Sequence, residues 1–248
     1  MNILICGIGG RMGGEIARLA REGFRGASLV AGYDVTPLSL SDCPTYTDWS
    51  AVRECPDVIV DFSHHAGTKP LLAFATARRI PVLIATTAHT EDELAAIREA
   101  AETIPVFHAA NMSLGVALLA ELAKAAVRLY PHADVEIVEK HHNRKLDAPS
   151  GTALHLANAI RTVREDATLH CGRNGNEKRS PSEIGIHAVR MGNIVGEHEI
   201  LIGTDTETIT LRHEAHSRAL FAEGAMAAAA FLVGREAGLY SMRDIIRL

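Results

Sequence analysis

A chain of 248 residues, 47% hydrophobic and 22% charged, holds enough apolar material for one large globular core or two modest ones. Its net charge of −5 argues against nucleic acid as a partner, because a polyanion is held by a basic surface. Four cysteines, Cys6, Cys43, Cys55 and Cys171, lie far apart with no CxxC pair and no metal-type spacing, which fits free thiols in a reducing compartment and no metal site.

In chain order, 2–6 reads as a buried first strand, 12–22 as a helix and 27–33 as a second strand. Short β-rich runs recur at 58–61, 82–85 and 106–108. Between the last two, Thr90-Glu91-Asp92-Glu93 is a capping-box opening for a helix with Leu94, Ile97 and Ala101 on one face. Apolar runs alternating with helical patterns mark βαβ units and a parallel sheet.

After Asn111 the character changes. Ser113 can cap a helix reaching Leu129, and 134–139 alternates charged with apolar residues. Three period-two stretches, 184–190, 194–202 and 206–213, are separated by turns containing Gly or Asp, as in an antiparallel sheet. A last helix, 219–234, returns to buried, Ala-rich composition. Its apolar run is too short and too closely flanked by charge to span a bilayer, and no leader-like segment opens the chain. The expectation is a soluble, cytoplasmic α/β protein: a Rossmann-type domain, an inserted α+β domain, and a C-terminal helix returning to the first.

The run Gly7-Ile8-Gly9-Gly10-Arg11-Met12-Gly13 follows the first strand and opens a helix. Glycines there permit a tight turn and close backbone approach to a pyrophosphate seated at the helix N-terminus. The common G-x-G-x-x-G spacing fails because position 12 is Met; G-x-x-G-x-x-G at Gly7, Gly10 and Gly13 fits instead. Asp34, at the end of the second strand and 21 positions after Gly13, is placed to accept hydrogen bonds from an adenosine ribose. No Lys or Arg occurs between Asp34 and Arg53, and a carboxylate repels a 2′-phosphate, so NADH is expected over NADPH. Arg11 is the one residue that would favour NADPH, if its guanidinium swings toward that phosphate.

The segment Glu139-Lys140-His141-His142-Asn143-Arg144-Lys145-Leu146-Asp147-Ala148-Pro149-Ser150-Gly151-Thr152-Ala153 leaves a strand, crosses a polar turn and enters a helix. Imidazoles and cations thus converge on a loop that feeds a helix N-terminus. A small dicarboxylate suits that combination, one carboxylate on Lys145 and the other on the N–H groups of Gly151 and Thr152. Histidine supplies a proton donor near neutral pH. Adjacent histidines point to opposite sides, so one of His141 and His142 serves the chemistry, and spacing alone permits either. Ser150 reads equally as a helix cap. The pair His64-His65 reads as lying on the nucleotide side or in solvent.

With these motifs in place, the chain resembles the dihydrodipicolinate reductase family. GIGGRMG, DFS at 61–63, TT at 86–87, AAN at 109–111 and EKHHNRKLDAPSGTA at 139–153 carry the resemblance, and VGEHEI at 195–200, HSR at 216–218 and SMRDII at 241–246 extend it. It implies NAD(P)H-dependent reduction of 4-hydroxy-tetrahydrodipicolinate in the diaminopimelate route to lysine. It assigns acid/base catalysis to His141, substrate contact to His142, and proton donation with substrate binding to Lys145. Gly151 and Thr152 match its substrate-binding Gly-Thr. The glycine loop, Asp34, Ala85-Thr86-Thr87 and Ala109-Ala110-Asn111-Met112 match its dinucleotide contacts. It implies a dinucleotide domain over 1–112 joined by 219–248. A mixed-sheet domain over 113–218 would bind substrate and assemble a homotetramer. Two departures fall on the nicotinamide side: the family's GTTG is Ala85-Thr86-Thr87-Ala88, and its aromatic after AAN is Met112. A reductase of another imine or carbonyl acid, and an NADH-binding sensor without turnover, are the competing expectations.

Overall fold

The computed structural model describes residues 1–246; positions 247 and 248 of the expected C-terminal segment lie outside the described residues. The elements run β1 (Asn2–Cys6), α1 (Arg11–Arg21), β2 (Ser28–Tyr33), β3 (Thr45–Tyr46), β4 (Val58–Asp61), α2 (Thr68–Arg78), β5 (Val82–Ile84), α3 (Glu91–Ala101) and β6 (Pro105–His108). There follow α4 (Leu114–Leu129), β7 (Asp134–His141), α5 (Gly151–Arg161), β8 (Thr168–Cys171), β9 (Glu183–Arg190), β10 (Gly196–Gly203) and β11 (Thr208–Ala215). The series closes with α6 (Ala219–Leu232), β12 (Gly238–Tyr240) and α7 (Met242–Ile245). The described residues divide into two compact units, Met1–Ser113 with 219–246, and Leu114–Arg218.

In the first unit seven strands form one parallel sheet in the order β3-β2-β1-β4-β5-β6-β12. Ile3, Leu4 and Ile5, like Val58, Ile59 and Val60, are fully buried, as strands covered on both faces require. Helices α2 and α3 close one face over Leu4, Ile59, Val82 and Val106. Helices α1 and α6 pack together, and α6 also lies on β4, β5 and β6. The run Ala225 to Ala229 is buried almost throughout, so small side chains let that helix sit close to the sheet. The capping box of α3 is formed: Glu93 N–H donates to Thr90 Oγ1 at 3.3 Å and Thr90 N–H to Glu93 Oε2 at 2.8 Å.

In the second unit the sheet order is β11-β10-β7-β9-β8. Val135, Ile137, Ile184, Ile186, Ile200 and Ile202 face α4 and α5. The expected antiparallel succession of 184–190 and 194–202 is corrected here. Strand β9 pairs in parallel with β7 and β8, and β7 separates it from β10, so the sheet is mixed. Period-two alternation reports a half-buried strand and says nothing about which strand lies beside it.

Candidate active site

The order of the first sheet reverses at β1, which lies between β2 and β4. Ligands of such sheets bind at the carboxyl ends of strands beside that reversal. All the residues expected to touch a dinucleotide follow those ends: the glycine loop after β1, Asp34 after β2, 85–87 after β5 and 109–112 after β6.

The loop is built for close backbone approach. Gly7 has φ +80, and its N–H donates to Tyr33 O at 2.8 Å. Gly10 N–H returns to Gly7 O at 3.0 Å, closing the turn. A Cβ on Gly13 would stand 2.1 Å from Gly7 O, so no side chain fits there. Helix α1 starts at N-cap Gly10 with no side-chain cap and no acidic residue in its first turn. An end left so open, unlike the capped α3, suits an anionic group. Asp34 Oδ2 accepts from Gly9 N–H at 3.0 Å and Oδ1 from Thr36 N–H at 3.0 Å, fixing a carboxylate beside the exposed Gly9 and Gly10. These features fit a dinucleotide.

The DFS motif has a different task. Asp61 is fully buried; its Oδ1 accepts from Ser63 Oγ at 2.6 Å and its Oδ2 from Thr86 Oγ1 at 2.7 Å. A buried carboxylate thus ties the end of β4 to the Thr86 segment. Thr87 and Ala110 are exposed, Ala109 and Asn111 half-buried, and Ala85 and Met112 buried. Ala88 takes φ 65, a left-handed conformation that costs an L-residue about 1 kcal/mol and that a glycine takes freely. His64 is exposed, whereas His65 pairs through Nδ1 with Glu93 at 2.9 Å. Arg11 is exposed.

In the second unit the alternation of β7 carries the site. Val135, Ile137, Glu139 and His141 share its helix-facing side, so the apolar face turns titratable at its carboxyl end. His141 Nδ1 lies 2.6 Å from Glu139 Oε2, and both side chains are buried. Opposite Glu139 on β10 is His198, whose Nε2 is 3.1 Å from Ser150 Oγ. The rings of His141 and His198 are 5.3 Å apart, edge to face. His142 leaves the strand half-buried, its N–H on Ile194 O at 2.8 Å. Burial, then the charges of Arg144 and Arg218, push its imidazole below the usual histidine range.

Lys145 Nζ reaches Asp147 Oδ1 at 2.7 Å, so the ammonium is held by an exposed carboxylate of its own loop. The loop enters α5 through a cis Ala148–Pro149 peptide. Ser150 is the N-cap, its Oγ accepting from Ala153 N–H at 3.2 Å, and Gly151 and Thr152 form the first turn. His141, Ser150 and the start of α5 therefore come together around Glu139. Glu139, Arg190 and His198 were not among the expected site residues. The phase of Glu139 with Ile137 and His141 is the local signal that marks it.

Burial and the adjoining His141 hold His198, 4% exposed, at about 4, below its usual 6.5. A histidine neutral when folded adds stability that is complete above pH 6.5 and is lost as pH falls toward 4. The shift corresponds to about 3 kcal/mol. Glu139, held at about 2 against a usual 4.5, contributes in the next window down, above 4.5 in full and lost toward 2. Urea unfolding of His198→Asn is expected to lose less stability than the natural chain between pH 6.5 and 4. An equal loss in both would assign the dependence to another group.

Two family profiles match the chain; they part near residue 113, as the compact units do, but the second also takes in 219–246, which packs with the first unit. The profile described as "Dihydrodipicolinate reductase, N-terminus" matches residues 1–112, and "Dihydrodipicolinate reductase, C-terminus" matches 115–246. A protein of Caldanaerobacter subterraneus subsp. tengcongensis named 4-hydroxy-tetrahydrodipicolinate reductase is 46% identical, covering 100% of this chain and 98% of its own. One of the same name from Clostridium novyi is 41% identical, covering 99% and 98%. Among solved structures, dipicolinate-bound dihydrodipicolinate reductase from Paenisporosarcina sp. TG-14 superposes with TM-score 0.86 at 26% identity, covering 99% of each chain. Among the described residues no helix is long and apolar enough to cross a membrane.

Proposed function

The chain belongs to the dihydrodipicolinate reductase family, and from that premise we propose that it reduces 4-hydroxy-tetrahydrodipicolinate to tetrahydrodipicolinate with a nicotinamide dinucleotide. The observation that carries the reading is the 139–153 segment: a buried imidazole, a lysine and a helix N-terminus gathered at one strand end. When bound, the dinucleotide supplies the hydride. The residues that would hold it are Gly7, Ile8, Gly9, Gly10, Arg11, Met12 and Gly13, with Asp34, the 85–87 segment and the 109–112 segment.

The remaining steps belong to side chains of the second unit. Lys145 would exchange Asp147 for one substrate carboxylate, and Gly151 and Thr152 would receive the other at the positive end of α5. His142 would add a contact to the bound dicarboxylate. Overall a hydride and one proton are taken up and the 4-hydroxyl leaves as water; His141 would deliver the proton, with Lys145 as the second donor the family resemblance names. A substrate so clamped loses its freedom before reaction, which is how positioning lowers a barrier.

NADH is the proposed preference. Support comes from Asp34, whose carboxylate is fixed on Gly9 N–H where a 2′-phosphate would meet its charge. The test follows absorbance of NADH and of NADPH with the substrate generated in situ by its synthase. Turnover faster with NADH is expected, and Asp34→Ala should cut kcat/KM for NADH about 10-fold while narrowing the ratio to NADPH. Faster turnover with NADPH would move cofactor choice to Arg11; dinucleotide binding without turnover would favour another imine acid or a sensor.

The same reading makes the enzyme cytosolic, a step of the diaminopimelate route to lysine, and a homotetramer assembled through the second sheet. On that sheet's open face Val138, Val189 and Leu201 lie half-buried among pairs such as Lys140–Glu197 at 3.0 Å and Arg212–Glu197 at 3.0 Å. Light scattering that returned a monomer mass would remove the assembly from the reading.

A further inference from the structure

The carboxylate of Glu139 lies at the centre of the second unit's site and has no part in the steps above. It is fully buried, and each oxygen receives two hydrogen bonds. Oε2 takes His141 Nδ1 at 2.6 Å and Arg190 Nη1 at 2.8 Å; Oε1 takes Ser150 N–H at 2.9 Å and Arg190 Nη2 at 2.7 Å. A carboxylate has about four lone-pair positions, so this one is filled. Burial alone would push the carboxyl up, but the bonds from His141, Arg190 and Ser150 outweigh it and leave Glu139 at about 2. It is therefore an acceptor only at any working pH.

Two consequences follow for the imidazole. An acceptor at 2.6 Å obliges Nδ1 to carry a hydrogen, which leaves Nε2 as the nitrogen that exchanges protons. Across the sheet, a methyl on Gly196 would stand 3.1 Å from Nε2, so the glycine keeps space beside that atom. Arg190 does more than neutralise the carboxylate. Its Nη2 also donates to Asp147 O at 2.7 Å, tying the Lys145 loop to the same anchor. One buried anion thus binds together the histidine, the cationic loop and the start of α5.

We propose that Glu139, clamped by Arg190, is the positioning residue that fixes the tautomer and orientation of His141 so that proton transfer runs through Nε2. The proposal rests on the reading that His141 is the acid/base, and it adds which nitrogen works and what selects it. Glu139 touches no reacting atom and acts through the ring it holds.

The test begins on the natural protein with 15N-labelled histidine. Neutral His141 should show its proton on Nδ1; a resonance pair with the proton on Nε2 would overturn the proposal without any variant. Glu139→Gln, whose amide can donate as well as accept, should mix the two tautomers and lower kcat on the order of 10²-fold or more, with KM within a few-fold. A kcat near that of the natural protein with an unchanged tautomer would also overturn it. Should that variant fail to fold, the tautomer of the natural protein still decides. The double variant Glu139→Gln/His141→Ala should be no slower than His141→Ala alone; additive losses would show that Glu139 acts elsewhere. A normal rate in His141→Ala, with Nδ1 still protonated in the natural chain, would instead remove the acid/base reading and leave the ring's anchoring intact.

Discussion

His141→Ala is expected to lower kcat by roughly 10²–10⁴-fold, the range a positioned acid or base supplies, with only a modest change in KM. The split follows from where the ring lies. His141 is buried on the helix-facing side of β7 and gripped by Glu139, so it offers little surface to a substrate's carboxylates. Its loss therefore removes a proton path and spares most of the binding. Lys145→Ala should behave differently and impair kcat and KM together, because the ammonium Asp147 now holds is the group proposed to grip a carboxylate. Steady-state assays on both variants check the contrast. A histidine variant with kcat close to that of the natural protein would take His141 out of proton transfer.

Gly13→Val should weaken NADH binding by more than about 10²-fold and lower the unfolding free energy by about 3 kcal/mol. The first branching carbon would stand 2.1 Å from Gly7 O and 2.8 Å from Ile8 Cα, both backbone, so the turn itself must move. The turn it would displace is the one held by Gly10 N–H on Gly7 O. One residue on, Gly14→Ala is the matched control. Nothing lies within 4 Å of its added carbon, and a helical Gly→Ala change gains about 0.5–1 kcal/mol. Fluorescence titration with NADH and thermal unfolding read both variants. Tight binding by the valine variant would show that the pyrophosphate does not approach through this turn.

Much of the molecule could be read from its residues because local rules reached far enough. Continuous apolar runs at β1, β4 and β5 read as strands buried on both faces, and Thr90 with Glu93 marked the start of α3. Other elements left weaker traces. Helix α2, TKPLLAFATAR, has apolar residues around most of its circumference, which masks the buried stripe Leu71, Leu72 and Ala75, and it carries Pro70 in its first turn. Strands β3 and β12 are short edge strands of two and three residues, below the length at which alternation registers. The parallel seat of β9 was hidden because a strand's period names its faces and not its neighbours.

At the site, the 139–153 motif was legible as one continuous segment. Arg190 was not, since it arrives from another strand, β9, and only the register pairing it with His141 reveals the contact. His198 likewise becomes meaningful once β10 sets it opposite Glu139. Buried charges recruited across a sheet are set by pairing, which no short motif encodes.

The first unit's discontinuity sets an order of events during synthesis. Helix α6, which covers β4, β5 and β6 and packs on α1, starts only at Ala219, after every residue of the second unit. When Ala219 leaves the ribosome, Leu114–Arg218 is already complete, whereas β4, β5 and β6 still lack the helix that covers them beside α1. The unit that starts first is thus the last to close, and until α6 docks its uncovered strands are open to aggregation. Truncations within 219–232 should therefore yield chains whose second unit is sound and whose nucleotide unit aggregates.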